Sequence, residues 1–258
     1  TNPVDRSCFH EPSHTSFPGR RMNRVTLSEL LTAVQGTPIR LSEVERTFHG
    51  VSTDSRRIQP GEMFWALRGE RHDGHDFITQ ALERGAIACV VNRNTTAEYA
   101  DNLIEVDDSL AALQAFSGWY RRRNEALVIG ITGSVGKTTT REMLFHVLSQ
   151  RFHGIRSRAN FNNEIGLPLT LLEIESDHEF AVIELGARHV GDIARLCEIA
   201  QPEVGVITAV AEAHLETFGS LDRIRLAKGE LFEALPPEGF GILAGDPAAV
   251  AGLSNRAL

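Results

Sequence analysis

The sequence predicts an α/β protein, with a small α/β domain followed by a parallel-sheet domain that is built on a phosphate-binding loop and truncated at its C-terminus. Three observations carry that prediction. Short apolar runs alternate with helical patterns, which argues for parallel strands covered by helices. A glycine-rich turn joins one such strand to a helix. Of the 258 residues 42% are hydrophobic and 23% charged, enough to bury the core of one large or two ordinary domains.

The same composition excludes several classes. It is not that of a disordered, collagen-like or disulfide-scaffold chain. No apolar run approaches the roughly 18–20 residues of a bilayer span, so no membrane insertion is expected. A net charge of −8 argues against a nucleic-acid coat protein, though not against a nucleotide site that needs only a few local donors. Cys8, Cys89 and Cys197 match no zinc or redox spacing, which fits a reducing, cytoplasmic setting.

Residues 1–21, with Pro3, Pro12 and Pro18 and no apolar periodicity, read as a disordered tail without assigned function. A first domain is expected over 22–123. Thr26 and Glu29 bracket a capping box that opens a helix whose apolar face is Leu27, Leu30, Leu31 and Val34. Gly61 to Leu67 reads as a strand, Phe77 to Gly85 as a helix and Ala86 to Val91 as a buried strand. A second helix, Leu110 to Arg123, ends in three arginines that suit a solvated helix C-terminus. Asn124-Glu125 reads as a hinge into a second domain, 124–258, with strands at Leu127–Thr132, Phe180–Leu185, Val204–Thr208 and Gly241–Ala244. Only Gly245 to Leu258 follow the last strand, so this domain reads as incomplete.

The chemistry concentrates at Leu127-Val-Ile-Gly-Ile-Thr-Gly-Ser-Val-Gly-Lys-Thr-Thr-Thr140. Backbone N–H groups of such a turn, with a helix N-terminus behind them, form an anion site. Gly133, Ser134, Val135, Gly136, Lys137, Thr138 and Thr139 are the candidate ATP-binding residues. Lys137 would reach the β/γ-phosphates and the Thr138 hydroxyl would serve Mg²⁺. One departure stands out: the usual G-x-x-x-x-G-K-[ST] spacing asks for glycine at position 131, which is Ile131. Glu184 closes an apolar strand at its carboxyl end, where ligands bind in open α/β sheets, and is a candidate metal ligand. His214 follows the next strand and, taken alone, reads equally as a structural histidine. Ser52, Thr53, Asp54, Ser55 and Arg56 offer hydroxyls, an acid and a guanidinium suited to a diphosphate and a ribose or uracil donor, or else a polar turn with Asp54 and Arg56 paired. Asp73 is first a helix cap.

Together these residues resemble the Mur ligases, the ATP-dependent amino-acid ligases of peptidoglycan synthesis. The match rests on Gly50-Val-Ser-Thr-Asp-Ser-Arg56 through Pro60-Gly61, Asp73-Gly-His-Asp-Phe77, Asn160-Phe-Asn-Asn-Glu-Ile-Gly-Leu-Pro168 and Glu184-Leu-Gly-Ala187. It covers Val25 to the end, and the family's shorter loop accounts for Ile131. The last two segments point to the branch that joins D-alanyl-D-alanine to UDP-N-acetylmuramoyl-tripeptide. The sister branch, which adds a single amino acid, carries Ser-Ser-His where Leu-Gly-Ala stands here.

The resemblance implies that Ser52–Arg56 holds the UDP end of the substrate and that Asn163, less surely Asn162, faces the γ-phosphate. It implies Lys137, Glu184, His214 and Lys228 as the catalytic set, with ATP and Mg²⁺ as cofactors. Lys228, in Ala227-Lys-Gly-Glu230, would be carbamylated and share one metal with Glu184 and His214, while Thr138 serves a second. Reaction would pass through an acyl phosphate. The family's third, C-terminal ligase domain is expected to be missing, and the alternatives are an amino-acid ligase of the sister branch or a binding-only fragment without autonomous catalysis. A monomer without nucleic-acid partners is expected.

Overall fold

The computed structural model describes residues 22–70, 72–93, 101–158, 160–211 and 215–243. The tail predicted for 1–21 and the candidate His214 lie outside the described residues.

The first half of the chain begins with β1 (Val25–Thr26) and α1 (Leu27–Val34), where the predicted capping box forms. The Thr26 side chain accepts the Glu29 N–H and the Glu29 carboxylate returns to the Thr26 N–H at 2.9 Å. Leu27 and Leu30 are buried from this helix, while Leu31 and Val34 are half-buried against the core. There follow β2 (Thr37–Ile39), β3 (Thr47–Phe48), β4 (Val51–Ser52) and β5 (Met63–Trp65). The expected helix after Phe77 is preceded by a 3₁₀ turn, Gly74–Phe77, whose N-cap Asp73 accepts the His75 N–H, and continues as α2 (Ile78–Glu83). Then come β6 (Cys89–Asn92), β7 (Leu103–Val106) and α3 (Ser109–Arg121), capped by Asp108. The sheet order is β2-β7-β6-β5-β4, parallel except for the β2 edge, and β1 pairs with β3 separately.

The second half is a five-stranded, wholly parallel sheet. In chain order its elements are β8 (Leu127–Thr132), α4 (Lys137–Leu148), β9 (Gly154–Arg156), α5 (Gly166–Leu171), β10 (Phe180–Glu184), α6 (Asp192–Ala200), β11 (Val204–Ile207), α7 (Leu215–Phe218), α8 (Leu221–Glu233) and β12 (Phe240–Leu243). Strand order is β12-β11-β8-β10-β9. The chain moves from β8 out to β9, back to β10, and then crosses to β11 on the other side. The crevice at the carboxyl end of β8 is therefore a topological switch point. Periodicity alone does not reveal β9, because Gly-Ile-Arg is too short and too polar to read as a strand.

Helix α3 welds the halves together, packing on α1 and on α5 and α6. Phe116 stacks on Trp65 from the first sheet. On another face Gly118 brings the α3 backbone close to Ile199 of α6. Of the arginine triplet, Arg122 and Arg123 are exposed as expected and the first residue is not. Arg121 is buried rather than solvated, donating to the carbonyls of Ala200 and Asn124 and pairing with Glu203 at 2.8 Å. The helix end is covered by α6 and β11, and the guanidinium satisfies carbonyls that water cannot reach. Asn124, too, is buried and fastened: it donates to the Tyr120 carbonyl and accepts from Asn23, whose own oxygen takes the Ser176 N–H. The Tyr120 hydroxyl donates to the Ile174 carbonyl.

Candidate functional site

Ladder register fixes the site. Ile131 lies inside β8, opposite Glu184 of β10 and Val206 of β11, and is fully buried. Position 131 therefore belongs to the strand and needs no glycine; the turn starts after Thr132. Gly133 (φ 148°) and Gly136 (φ 86°) adopt backbone conformations that L side chains rarely take. A Cβ on Gly133 would meet the Thr208 hydroxyl oxygen at 2.1 Å. The loop is braced from β11, since Thr208 Oγ1 donates to the Val135 carbonyl at 2.6 Å and Ser134 N–H donates to the Ala209 carbonyl at 2.8 Å. Lys137, the first residue of α4, curls back so that Nζ donates to the Gly133 carbonyl at 2.8 Å. N–H donors at a helix start with a tethered ammonium form an anion cradle.

Glu184 is 4% exposed. A carboxylate so placed needs partners, and three side chains supply them, two from α4 and one from the loop that precedes α5. Thr138 Oγ1 donates at 3.0 Å, Asn162 Nδ2 at 2.9 Å and the Arg141 guanidinium at 3.4 Å. The hydroxyl and the carboxylate expected to serve metal thus meet at the mouth of the phosphate loop. Two hard oxygen donors beside a phosphate cradle fit Mg²⁺, which is bound through a few protein oxygens, water and phosphate.

Lys137 and Lys228 both line a cleft of about 550 Å³, with Gly133, Ser134, Asn162 and Asn163. Lys228 is buried on α8, its Nζ 5.7 Å from the centre of the Phe218 ring. Burial, and then the neighbouring charge of Lys137, lower its pKa from 10.5 to about 8, so it holds a neutral amine far more readily than a solvated lysine. Its neighbour Glu230 caps α6, accepting the N–H groups of Gly191 at 2.6 Å and Ala194 at 3.0 Å. Asn163 faces the cleft but uses Oδ1 to accept the N–H groups of Ile165 and Gly166, whereas Asn162 is the one joined to Glu184. Thr139 lies on an outer groove of α4 with Met143 and Val147.

Residues 52–56 do not line this cleft. Ser52 ends β4, and Asp54 caps a 3₁₀ turn, Ser55–Arg57. Both Asp54 oxygens accept from the Arg56 guanidinium at 2.9 Å, which holds the Asp54 carboxyl below the usual carboxylate range. Ser55 is buried and donates to Gln80, Thr53 is half-buried, and the Arg56 side chain is exposed.

Several neighbours escaped the sequence reading. Arg141 sits one helical turn beyond Lys137, a spacing that places both on one side of α4. Gln114 reaches from α3 to the Glu164 carbonyl, and Arg188 and Arg195 line the cleft from the segment after β10. A His153–Asp177–His178 group also clusters, at the opposite, amino-terminal end of the strands. There His178 Nδ1 accepts the Glu175 N–H at 2.8 Å, which leaves the ring proton on Nε2 and ill disposes that histidine to ligation.

A parallel sheet with a phosphate loop at its switch point and an oxygen pair beside it defines a P-loop nucleotide-binding protein. Family comparison refines the class: residues 131–257 match the Mur ligase middle domain and residues 47–121 the Mur ligase family catalytic domain. The chain belongs to the Mur ligase family. It is 45% identical over 214 residues to the UDP-N-acetylmuramoyl-tripeptide–D-alanyl-D-alanine ligase of Synechocystis, covering 81% of this chain and 46% of the relative. The Escherichia coli ligase of the same name is 40% identical, covering 87% of this chain and 49% of the relative. MurF from Acinetobacter baumannii superposes with a TM-score of 0.83 at 34% identity, covering 92% of this chain and 52% of that one. MurF from Thermotoga maritima in complex with ADP gives 0.73 at 35% identity, covering 80% and 48%. The chain spans about half the length of the curated relatives it matches. Among the described residues no helix is long and apolar enough to cross a membrane.

Proposed function

We propose that this chain carries the UDP-substrate and ATP sites of an ATP-dependent ligase that joins D-alanyl-D-alanine to UDP-N-acetylmuramoyl-tripeptide in the cytoplasm. Residues 22–123 would bind the UDP end through Ser52–Arg56, and residues 124–258 would bind ATP. The observation that supports this best is the meeting of Lys137, Thr138, Asn162 and Glu184 at one sheet edge, in a chain whose relatives bear that ligase's name.

In the proposed reaction a substrate carboxylate oxygen attacks the γ-phosphorus and ADP leaves, giving an acyl phosphate. The amine of the dipeptide then attacks the acyl carbon, and phosphate departs. Such transfers ask the protein chiefly for positioning and charge neutralisation. Lys137 can turn from its own loop carbonyl to the β/γ-phosphates. Thr138, Glu184, His214 and Lys228, the last as a carbamate, would hold Mg²⁺, which supplies charge neutralisation on the phosphate oxygens. The lowered basicity of Lys228 supports the carbamate, because only a neutral amine adds carbon dioxide. Asn162 orients Glu184, and Asn163 shapes the loop beside it. The binding unit is proposed to be a monomer.

Calorimetric titration with UDP-N-acetylmuramoyl-tripeptide, against its dipeptide and tetrapeptide forms, tests the proposal. Tripeptide-selective binding is expected, and a folded sample that binds none of them overturns the role of residues 52–56. Lys137→Ala should abolish ATP binding and leave UDP-substrate binding intact. Joint loss of both in a folded protein would refute separate sites.

A further inference from the structure

A chain of alternating charges runs from the surface of α4 into the site, and the proposed function gives it no role. The Arg156 guanidinium lies 4.2 Å over the Phe145 ring and donates to both Glu142 oxygens at 2.9 Å. Glu142 in turn accepts from Arg141 at 2.7 and 3.1 Å. Burial works against ionisation of Glu142, yet Arg156 and Arg141 together hold its carboxyl below the usual range. The far side of the Arg141 fork reaches the Arg158 carbonyl and Glu184, each at 3.4 Å. Arg141 is among the most buried charged residues of the protein, 3% exposed.

We infer that Arg141 is a positioning residue, a buried strut that fixes the Glu184 carboxylate so that it faces Thr138 and the phosphate loop. The inference rests on the proposal that Glu184 ligates metal. Glu184 has no rigid anchor of its own beyond the backbone of β10, and a glutamate side chain must give up several rotamers to hold one aim. Asn162 takes one oxygen, and Thr138 and Arg141 share the other. Of these partners Thr138 must turn its lone pair to a metal, which leaves Arg141 and Asn162 to hold the aim. A guanidinium beside a metal ligand would ordinarily repel the ion. Here its charge is already met by Glu142 at the shorter distance, so the long 3.4 Å contact orients Glu184 without competing strongly for its lone pairs.

The test measures binding of a fluorescent ADP analogue to the whole chain, once in EDTA and once in excess Mg²⁺. The readout is the ratio of the two affinities. In the unaltered protein Mg²⁺ should tighten binding. Arg141→Met should cut that tightening by about tenfold, the worth of one hydrogen bond to a charged group, and leave the affinity in EDTA unchanged. Arg141→Lys should recover part of it. Glu142→Gln keeps the buried arginine but frees it to close on Glu184 and compete with the ion, so it should lower the ratio too; this variant decides the matter if Arg141→Met does not fold. An unchanged ratio in the folded variants, or an equal loss with and without Mg²⁺, overturns the positioning role alone. Absence of any Mg²⁺ effect in the unaltered protein overturns the metal role of Glu184 and the strut with it.

Discussion

A single methyl group on Gly133 should separate folding from nucleotide binding. In Gly133→Ala the new Cβ would lie 2.1 Å from Thr208 Oγ1 and 3.1 Å from the backbone N and O of Ala209, at a φ of 148°. The unfavourable backbone conformation costs about 1–3 kcal/mol. Relief of the clash requires Thr208 to swing away and give up its bond to the Val135 carbonyl, a further ~1 kcal/mol. The total, about 2–4 kcal/mol, is small enough for the fold to survive, with the melting temperature falling by about 5–15 °C. Nucleotide affinity should fall by about tenfold or more, because the N–H groups of the cradle lose their common aim. Thr208→Ala alone removes the same hydrogen bond. In the double variant that bond is lost only once and the clash is gone, so it should be about 1–2 kcal/mol more stable than the two single effects summed. Denaturant unfolding of the four proteins provides the measurement. Strict additivity would refute the contact between Gly133 and Thr208 as the reason for glycine at this position.

Other predictions concern separate parts of the molecule. Tyr120→Phe deletes a hydroxyl that donates to the Ile174 carbonyl and accepts the Asn23 N–H. It should cost about 2–3 kcal/mol in denaturant unfolding without changing nucleotide affinity. In ¹³C-labelled carbon dioxide at a fixed dissolved concentration, a carbamate signal should grow as pH rises through about 8, where Lys228 loses its proton, and should be missing in Lys228→Arg. Because Lys228 gives up its proton more easily folded than unfolded, the native state binds fewer protons between about 8 and 10.5. Its contribution to stability should therefore rise with pH across that window, and Lys228→Met should flatten the rise.

Much of this protein was legible before its tertiary structure. The capping box at Thr26–Glu29, the strand–loop–helix at Leu127–Leu148 and Glu184 at a strand end are written in local sequence, because caps, buried strands and glycine turns depend on residues a few positions apart. Family membership was legible for the same reason, through motifs confined to short segments. Tertiary structure decided what distant segments do to one another. That Ile131 lies opposite Glu184 and Val206 follows from the strand order, which no local window contains. The fate of Arg121 follows from α6 and β11 closing over a helix end that, by itself, looks solvated. The sequence left two readings of Ser52–Arg56 open, and of these the Asp54–Arg56 pair forms inside one local turn. Above all, the surroundings of Glu184 come from α4, the Asn162 loop and β10 at once, a convergence made by the parallel sheet and invisible to any local window. Local pattern specifies which groups are available, whereas burial and register specify which of them meet.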